Sequence, residues 1–290
     1  MLRFLEDYKY KLRKHQILYK NGSVYIGYFN HEWHKEGYGI YLMEDGSKYE
    51  GTFQQNKMWG RGRLISSKGD YFEGEFEADK ASGFGKYVSK EGGIYVGYWK
   101  NDKQNERGEE LYSDDSHYEG FYLDGLKHGS GKFTWSDGSI YEGSFIKNNI
   151  EGLGIYRWRD GRIYHGQWKG NLMQGLGLFL WPDRKKYIGQ YSRDKKCGYG
   201  IFLWPDGKRF EGEWFDGKQN GYGILTFNNT KKFGIWKDGI KDKWVDFTKF
   251  LNDFERISHE ILKISENPYV KDFLIYSHNS TLKSDSSVNY

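Results

Sequence analysis

Large aromatic side chains recur along this chain at a fixed step, at Tyr25, Tyr49, Phe72, Tyr95, Tyr118, Tyr141, Tyr164, Tyr187, Phe210 and Phe233. The first step is 24 residues and every later step is 23. A second aromatic follows each of them, at Phe29, Phe53, Phe76, Trp99, Tyr122, Phe145, Trp168, Tyr191, Trp214 and Trp236. Between the two sits a glycine, as in Tyr49-x-Gly51-x-Phe53, Tyr95-x-Gly97-x-Trp99, Tyr141-x-Gly143-x-Phe145, Tyr164-x-Gly166-x-Trp168 and Phe210-x-Gly212-x-Trp214. Period-two alternation places such a triplet on one face of a strand. Polar turn residues such as Lys147-Asn148-Asn149 and Asp160-Gly161 bound each run, and the reading is strand, turn, strand. A second strand per unit adds Trp135, Trp158, Trp181 and Trp204. These rings are expected to stack into an aromatic core, with the glycines making room for them. A repeat of this period means an array whose units cannot fold singly, and such an array offers a long surface rather than one enclosed pocket.

The pattern Y-x-G-x-W/F, then G-x-G, then D-G resembles the MORN repeat (membrane occupation and recognition nexus). It reads FEGEFEADKASGFGKYVSKEGG from Phe72 and FEGEWFDGKQNGYGILTF from Phe210. The resemblance covers residues 19–240, with about nine full units and partial units at the ends. Three units depart from it. Glu106 stands where the first glycine of a G-x-G belongs, Asp183-Arg184 replaces an Asp-Gly, and Phe233-Gly234-Ile235-Trp236 shifts the glycine by one. The resemblance implies an all-β fold, a single elongated antiparallel sheet of tandem β-hairpins. At about 10 Å per hairpin, that is a rod on the order of 90–100 Å.

Past the array the period changes. Trp244, Phe247, Leu251, Phe254, Ile257, Ile261 and Ile264 step by three or four, which predicts an amphipathic helix within 241–267, ended by Pro268. Its expected roles are to cover the exposed edge of the last hairpin or to dock on a partner. Residues 268–290 read as a polar tail, and residues 1–18 as an N-terminal cap carrying Leu5, Tyr8 and Leu12 at helical spacing.

Composition narrows the function. The chain has 290 residues, 19% of them aromatic, with 39 glycines and three prolines, which marks it as folded. Cys197 is the only cysteine, so neither an intrachain disulfide nor a cysteine zinc site can form. The start, MLRFLEDYKYKLRK, lacks a signal-peptide core, and no 18-residue apolar run exists. The expectation is a cytoplasmic, reduced protein. A net charge of +4 and the lack of regular basic residues among the rings argue against nucleic acid.

No catalytic or metal constellation stands out, and no cofactor is expected. Gly125–Lys132 has the wrong spacing for a phosphate-binding loop. His31 and His34 lack a metal motif around them. Glu50, Glu73, Glu119, Glu142 and Glu211 alternate with the rings and belong to the opposite face. Charge is uneven: Arg184, Lys185, Lys186, Arg193, Lys195 and Lys196 make the segment 184–209 basic, a candidate surface for anionic lipid or an acidic partner. The sequence thus reads as a non-enzymatic scaffold. Chains that are little more than MORN repeats resemble radial-spoke-head components of cilia, so the expected partners are other proteins of a cytoskeletal assembly, with the axoneme as the location. A second copy of the chain is a further candidate partner. The alternative is a peripheral membrane adaptor that reads phosphoinositides.

Overall fold

Each repeat closes on a tight turn whose residues accept positive φ. Gln55-Asn56, Ala78-Asp79, Asn101-Asp102, Lys147-Asn148 and Arg193-Asp194 all have it at both positions, the geometry that suits the twist of a two-residue hairpin. At the other end Asp-Gly turns take over, and Ser47 N–H and Oγ both donate to the Asp45 carboxylate at 2.9 Å. The computed structural model describes residues 12–268 and 270–271. Leu5, Tyr8 and nearly all of the expected tail lie outside the described residues.

The chain forms two compact units, residues 1–136 and 137–290. The first holds β1 (Arg13–Leu18), β2 (Val24–Phe29), β3 (Lys35–Leu42), β4 (Lys48–Gln54), β5 (Lys57–Ile65), β6 (Tyr71–Glu77), β7 (Lys80–Val88), β8 (Ile94–Lys100), β9 (Lys103–Leu111), β10 (His117–Leu123) and β11 (Leu126–Thr134). The second holds β12 (Ile140–Ile146), β13 (Asn149–Arg157), β14 (Ile163–Lys169), β15 (Leu172–Leu180), β16 (Lys186–Ser192), β17 (Lys195–Leu203), β18 (Arg209–Phe215), β19 (Lys218–Phe227), β20 (Thr230–Lys237) and β21 (Ile240–Trp244), followed by α1 (Phe247–Glu266). Within each unit every strand pairs antiparallel with its neighbour in sequence. The all-β class and the antiparallel tandem hairpins expected from the sequence are what the chain adopts. Strand β1 starts inside the span expected as a cap, and the sheet continues to Trp244.

The register explains the repeat. Gly51 lies opposite Gly62, Gly62 opposite Gly74, and Gly74 opposite Gly85, so glycines form a row across the strands. The second unit repeats this from Gly143 and Gly154 through to Gly223 and Gly234. Tyrosine rings lie on that row. A Cβ on Gly62 would sit 2.3 Å from the Tyr49 hydroxyl, and one on Gly143 2.4 Å from the Tyr141 hydroxyl. Tyr49 meets Phe53 and Phe76 edge to face, each at 5.1 Å and 85°, so this ring is gripped by one ring of its own repeat and one of the next.

Beside the glycine row one strand advances two residues while its partner advances four, as between Gly51↔Gly62 and Phe53↔Met58. This bulge gives the first glycine of each G-x-G its positive φ, between 55° at Gly198 and 101° at Gly221. It also leaves a carbonyl for the buried phenol. Tyr49 donates to the Thr52 carbonyl at 3.0 Å, Tyr118 to that of Phe121 at 3.0 Å and Tyr187 to that of Gln190 at 3.1 Å. The buried hydroxyl is therefore satisfied, and its burial pushes the Tyr49, Tyr141 and Tyr187 phenols up from the usual value.

Two sets of polar side chains join consecutive repeats. Asn56 Oδ1 accepts from Lys35 N–H at 2.8 Å, Asp79 from Met58 at 2.8 Å, Asp102 from Ala81 at 2.7 Å and Asp194 from Met173 at 2.7 Å. At the opposite end the buried Ser47 and Ser116 hydroxyls accept the N–H of Ser67 and Ser136, each at 3.2 Å.

Two expectations are corrected. Phe233 is not in the ring column. Gly234 keeps its place opposite Gly223, so Phe233, one residue earlier, faces the other side of the sheet and meets Phe250 at 5.0 Å. The helix does not cover the last strand edge, since β21 is exposed throughout. It lies across β17, β18 and β19. Phe250, Ile257, Ile261 and Ile264 are buried there with Leu178, Ile188, Ile201 and Ile224. Trp244 ends β21 instead of opening the helix, and Phe247 and Leu251 stay largely exposed. Beyond Pro268, Val270 adds to the same core. The Arg256 guanidinium, 2.9 Å from the Glu213 carboxylate, ties helix to sheet.

Four substitutions test this packing. Gly143→Ala is expected to lower stability by more than about 2 kcal/mol in denaturant titration, since Tyr141 and the Gly154 backbone leave no room. Gly93→Ala is the matched control and should stay within about 0.5 kcal/mol, because its nearest neighbour would lie 3.7 Å away. Glu106, exposed and at φ 57° where other repeats have glycine, is strained, and Glu106→Gly should raise stability by up to about 1 kcal/mol. Ile257→Ala, at a site with no exposed surface, should cost about 2–5 kcal/mol and increase binding of a hydrophobic dye.

Candidate functional site

The ring-bearing face carries one position per repeat directly opposite the second aromatic. Cross-strand pairs place Lys35 against Phe29, Met58 against Phe53, Ala81 against Phe76, Gln104 against Trp99, Lys127 against Tyr122, Met173 against Trp168 and Lys196 against Tyr191. At Lys35, Lys127 and Lys196 the ammonium is ringed by aromatic faces. Lys196 Nζ lies 5.2 Å from the Trp181 ring centre, 5.3 Å from Tyr187, 5.2 Å from Phe202 and 5.0 Å from Trp214. Lys35 Nζ is 3.5 Å from Tyr41 and within 5.7 Å of Tyr19, Tyr25 and Phe53. Lys127 Nζ sits over Tyr112, Tyr118 and Phe133, 3.7 Å from the Glu110 carboxylate.

These are cation–π cages, in which the ring faces attract the charge while burial opposes it. Burial holds all three ammonium groups below the usual lysine range, and at Lys127 the Glu110 carboxylate pulls the other way. The sequence carried a signal for them, a lysine just after the hairpin turn, but only the register shows that rings surround it.

At Ala81 the same position opens onto a cavity of about 410 Å³. Phe72, Phe76, Tyr87 and Trp99 supply its aromatic wall, and Asp79 and Asp102 bring carboxylates to it. Lys103, Gln104, Leu64 and Gly125 complete the lining.

The structure separates the six basic residues that the sequence grouped. Arg184 occupies a positive-φ turn position at one end of β16, and Arg193 another at the opposite end. With a rise of about 3.3 Å per residue, the length of β16 puts about 20 Å between the two ends. Lys185 pairs with Asp183 at 2.7 Å, and Lys195 pairs with Asp216. Lys186 opens β16, and Lys196 is the caged residue already described. They form no single basic patch.

The recurring glutamates lie on the opposite face next to cations. Glu50 meets Lys48 at 2.8 Å, Glu119 meets Arg107 at 2.6 Å, Glu142 meets Arg157 at 2.8 Å and Glu211 meets Arg209 at 2.6 Å. Glu73 stands 3.9 Å from Arg63. In the first unit this face also exposes Tyr38, Phe84, Tyr98 and Phe121. The second unit has Leu176, Leu178, Tyr199, Ile201 and Tyr222 on the corresponding face, packed in the helix-covered core.

Among the described residues no group of three or more His, Cys, Asp or Glu could hold a metal ion. The segment 125–132 falls largely within β11, so Gly129 and Gly131 are strand residues and Gly125 belongs to the hairpin turn before it, not to a phosphate-cradling loop. His31 and His34 flank Glu32 at 3.9 and 3.4 Å. No helix of the described residues is long and apolar enough to cross a membrane.

No curated protein matches this chain. Among solved structures, the TCP10 domain of Danio rerio CPAP, in complex with a peptide of STIL, is similar at 10% identity and a TM-score of 0.44, over 81% of this chain and 98% of that one. The SAS-4 (dCPAP) TCP domain of Drosophila melanogaster, in complex with a proline-rich motif of Ana2, is similar at 16% identity and a TM-score of 0.36, over 53% of this chain and 85% of that one. Likeness at this level says nothing about partners. The MORN repeat family matches residues 49–71, 72–94, 95–117, 118–140, 141–161, 164–185, 187–209 and 210–230. With the glycine row, the bulges and the ring column in those same segments, the chain belongs to the MORN repeat family.

Proposed function

We propose that this protein is a non-enzymatic scaffold that holds other proteins in a cytoskeletal assembly, working in the ciliary axoneme in a radial-spoke-type position. The observation that carries the scaffold reading is the unequal treatment of one sheet face. In the second unit that face is apolar, and the chain covers it with α1. In the first unit Tyr38, Phe84, Tyr98 and Phe121 remain 45–50% exposed on it, with no helix of the described residues against them. Exposed aromatics gathered on one face mark a surface that a protein partner buries. Membership of the repeat family supports the scaffold reading, and the axonemal placement rests on the resemblance of repeat-only chains to radial-spoke-head components. The membrane-adaptor alternative needs a cluster of cations that Arg184, Lys185, Lys186, Arg193, Lys195 and Lys196 do not form.

The test is retention. In ciliated cells the tagged full-length chain should stay with detergent-extracted axonemes, and Phe84→Ser with Phe121→Ser should release most of it while leaving the thermal melt within a few degrees. Purified chain should not float with anionic vesicles more than with neutral ones. Release of the wild-type chain by detergent, together with flotation on anionic vesicles alone, would put the membrane adaptor in place of the scaffold.

A further inference from the structure

We propose that the cavity at Ala81 binds a lysine side chain presented by a partner protein. The inference rests on the scaffold reading and names the chemistry of one of its contacts. Lys35, Lys127 and Lys196 show what this repeat position holds when its cage is filled from within. A step of 23 residues relates the positions. The rings that surround Lys196 are Trp181, Tyr187, Phe202 and Trp214. Their counterparts around Ala81 are Ser66, Phe72, Tyr87 and Trp99, and the last three line the cavity. Three of the four walls of a lysine cage are therefore present, while alanine stops at Cβ and leaves the ammonium position empty.

The fourth side is acidic. Asp102 is fixed at the cavity by the Ala81 N–H at 2.7 Å, and Asp79 by the Met58 N–H at 2.8 Å. The lining holds two acidic residues, Asp79 and Asp102, and one lysine, Lys103. Aromatic faces with carboxylates beside them select a cation on an aliphatic stem, since the stem packs on the rings and the head meets the charge. Every filled cage among those described uses lysine and none uses arginine, so lysine is the occupant this geometry accommodates. The cavity also falls in the size range of ligand sites, about 300–1,000 Å³.

The test titrates the full-length chain with octalysine and with its fully ε-acetylated counterpart, by calorimetry. The variants are Ala81→Met, which inserts the residue that stands at this position as Met58 and Met173, and Ala81→Lys, which supplies an ammonium from within. Octalysine should bind the wild type at least about tenfold more tightly than the acetylated peptide, the size a partly desolvated cation over several rings supports. Both variants should lose about tenfold. Equal binding of octalysine to wild type and Ala81→Met overturns the proposal. A second readout needs no cavity-filling variant: octalysine should shift the NMR signal of the Trp99 indole N–H, which donates to the Gly85 carbonyl at 3.3 Å. An unmoved Trp99 signal at saturating peptide also overturns it. Lysine binding that depends on residue 81 stands whether or not axonemes retain the chain, and loss of retention removes the scaffold reading alone.

Discussion

The contact on which this structure depends is a tyrosine ring lying flat on two paired glycines. Tyr141 over Gly143 and Gly154 shows it plainly: a single methyl on either glycine would meet the phenol or the neighbouring backbone at 2.3–2.6 Å. The ring needs that row because its edges are already held by Phe145 and Trp168, at 5.2 and 5.7 Å. Glycine, ring and bulge are therefore one device. The row lets the ring down onto the sheet, the bulge frees a carbonyl for the phenol, and the ring's outer edge engages the next repeat. Copies of the device are linked by the Asn and Asp residues of one turn set and the serines of the other. An array built this way can vary every position outside the device, and the residue opposite the second aromatic does vary, among Lys, Met, Ala, Gln and Ile.

That variation is where function can enter. The three lysine cages show the ring face stabilising a buried ammonium, with burial holding each below the ordinary lysine range. The Ala81 cavity presents three of the four corresponding rings without the charge. The other face works differently, through ion pairs and exposed aromatics in the first unit and through an apolar bed for α1 in the second.

Period and spacing made the hairpins, the glycine positions and the two ring columns readable without coordinates, because each repeat states the same alternation again. Phe233 escaped that reading because the face of a strand turns over with a one-residue change of phase, and Gly234, not the aromatic, kept the register. The basic segment misled for a related reason. Charge counted along the chain ignores that Arg184 and Arg193 close opposite ends of one strand, and that Lys196 points among rings. The helix was visible from its spacing, but Phe250, fully buried, was not singled out, since which stripe faces the sheet depends on the bed it meets. A signal for that bed existed in Leu176, Leu178, Ile188 and Ile201, apolar on strand positions where the first unit places Arg61, Arg63, Glu73 and Lys86. The cavity at Ala81 had no signal of its own in sequence, because an absence among rings appears only once the rings are placed.

NMR reports directly, through ring-current shifts, whether aromatic rings sit on the glycine row in solution. The Hα signals of Gly62, Gly108, Gly154 and Gly200 should lie strongly upfield, each beneath its tyrosine, while that of Gly93, with no ring near it, should keep an ordinary strand or turn value. Ordinary Hα shifts across the row would contradict the account, because the rings would then not rest on the glycines that the whole repeat is arranged to provide.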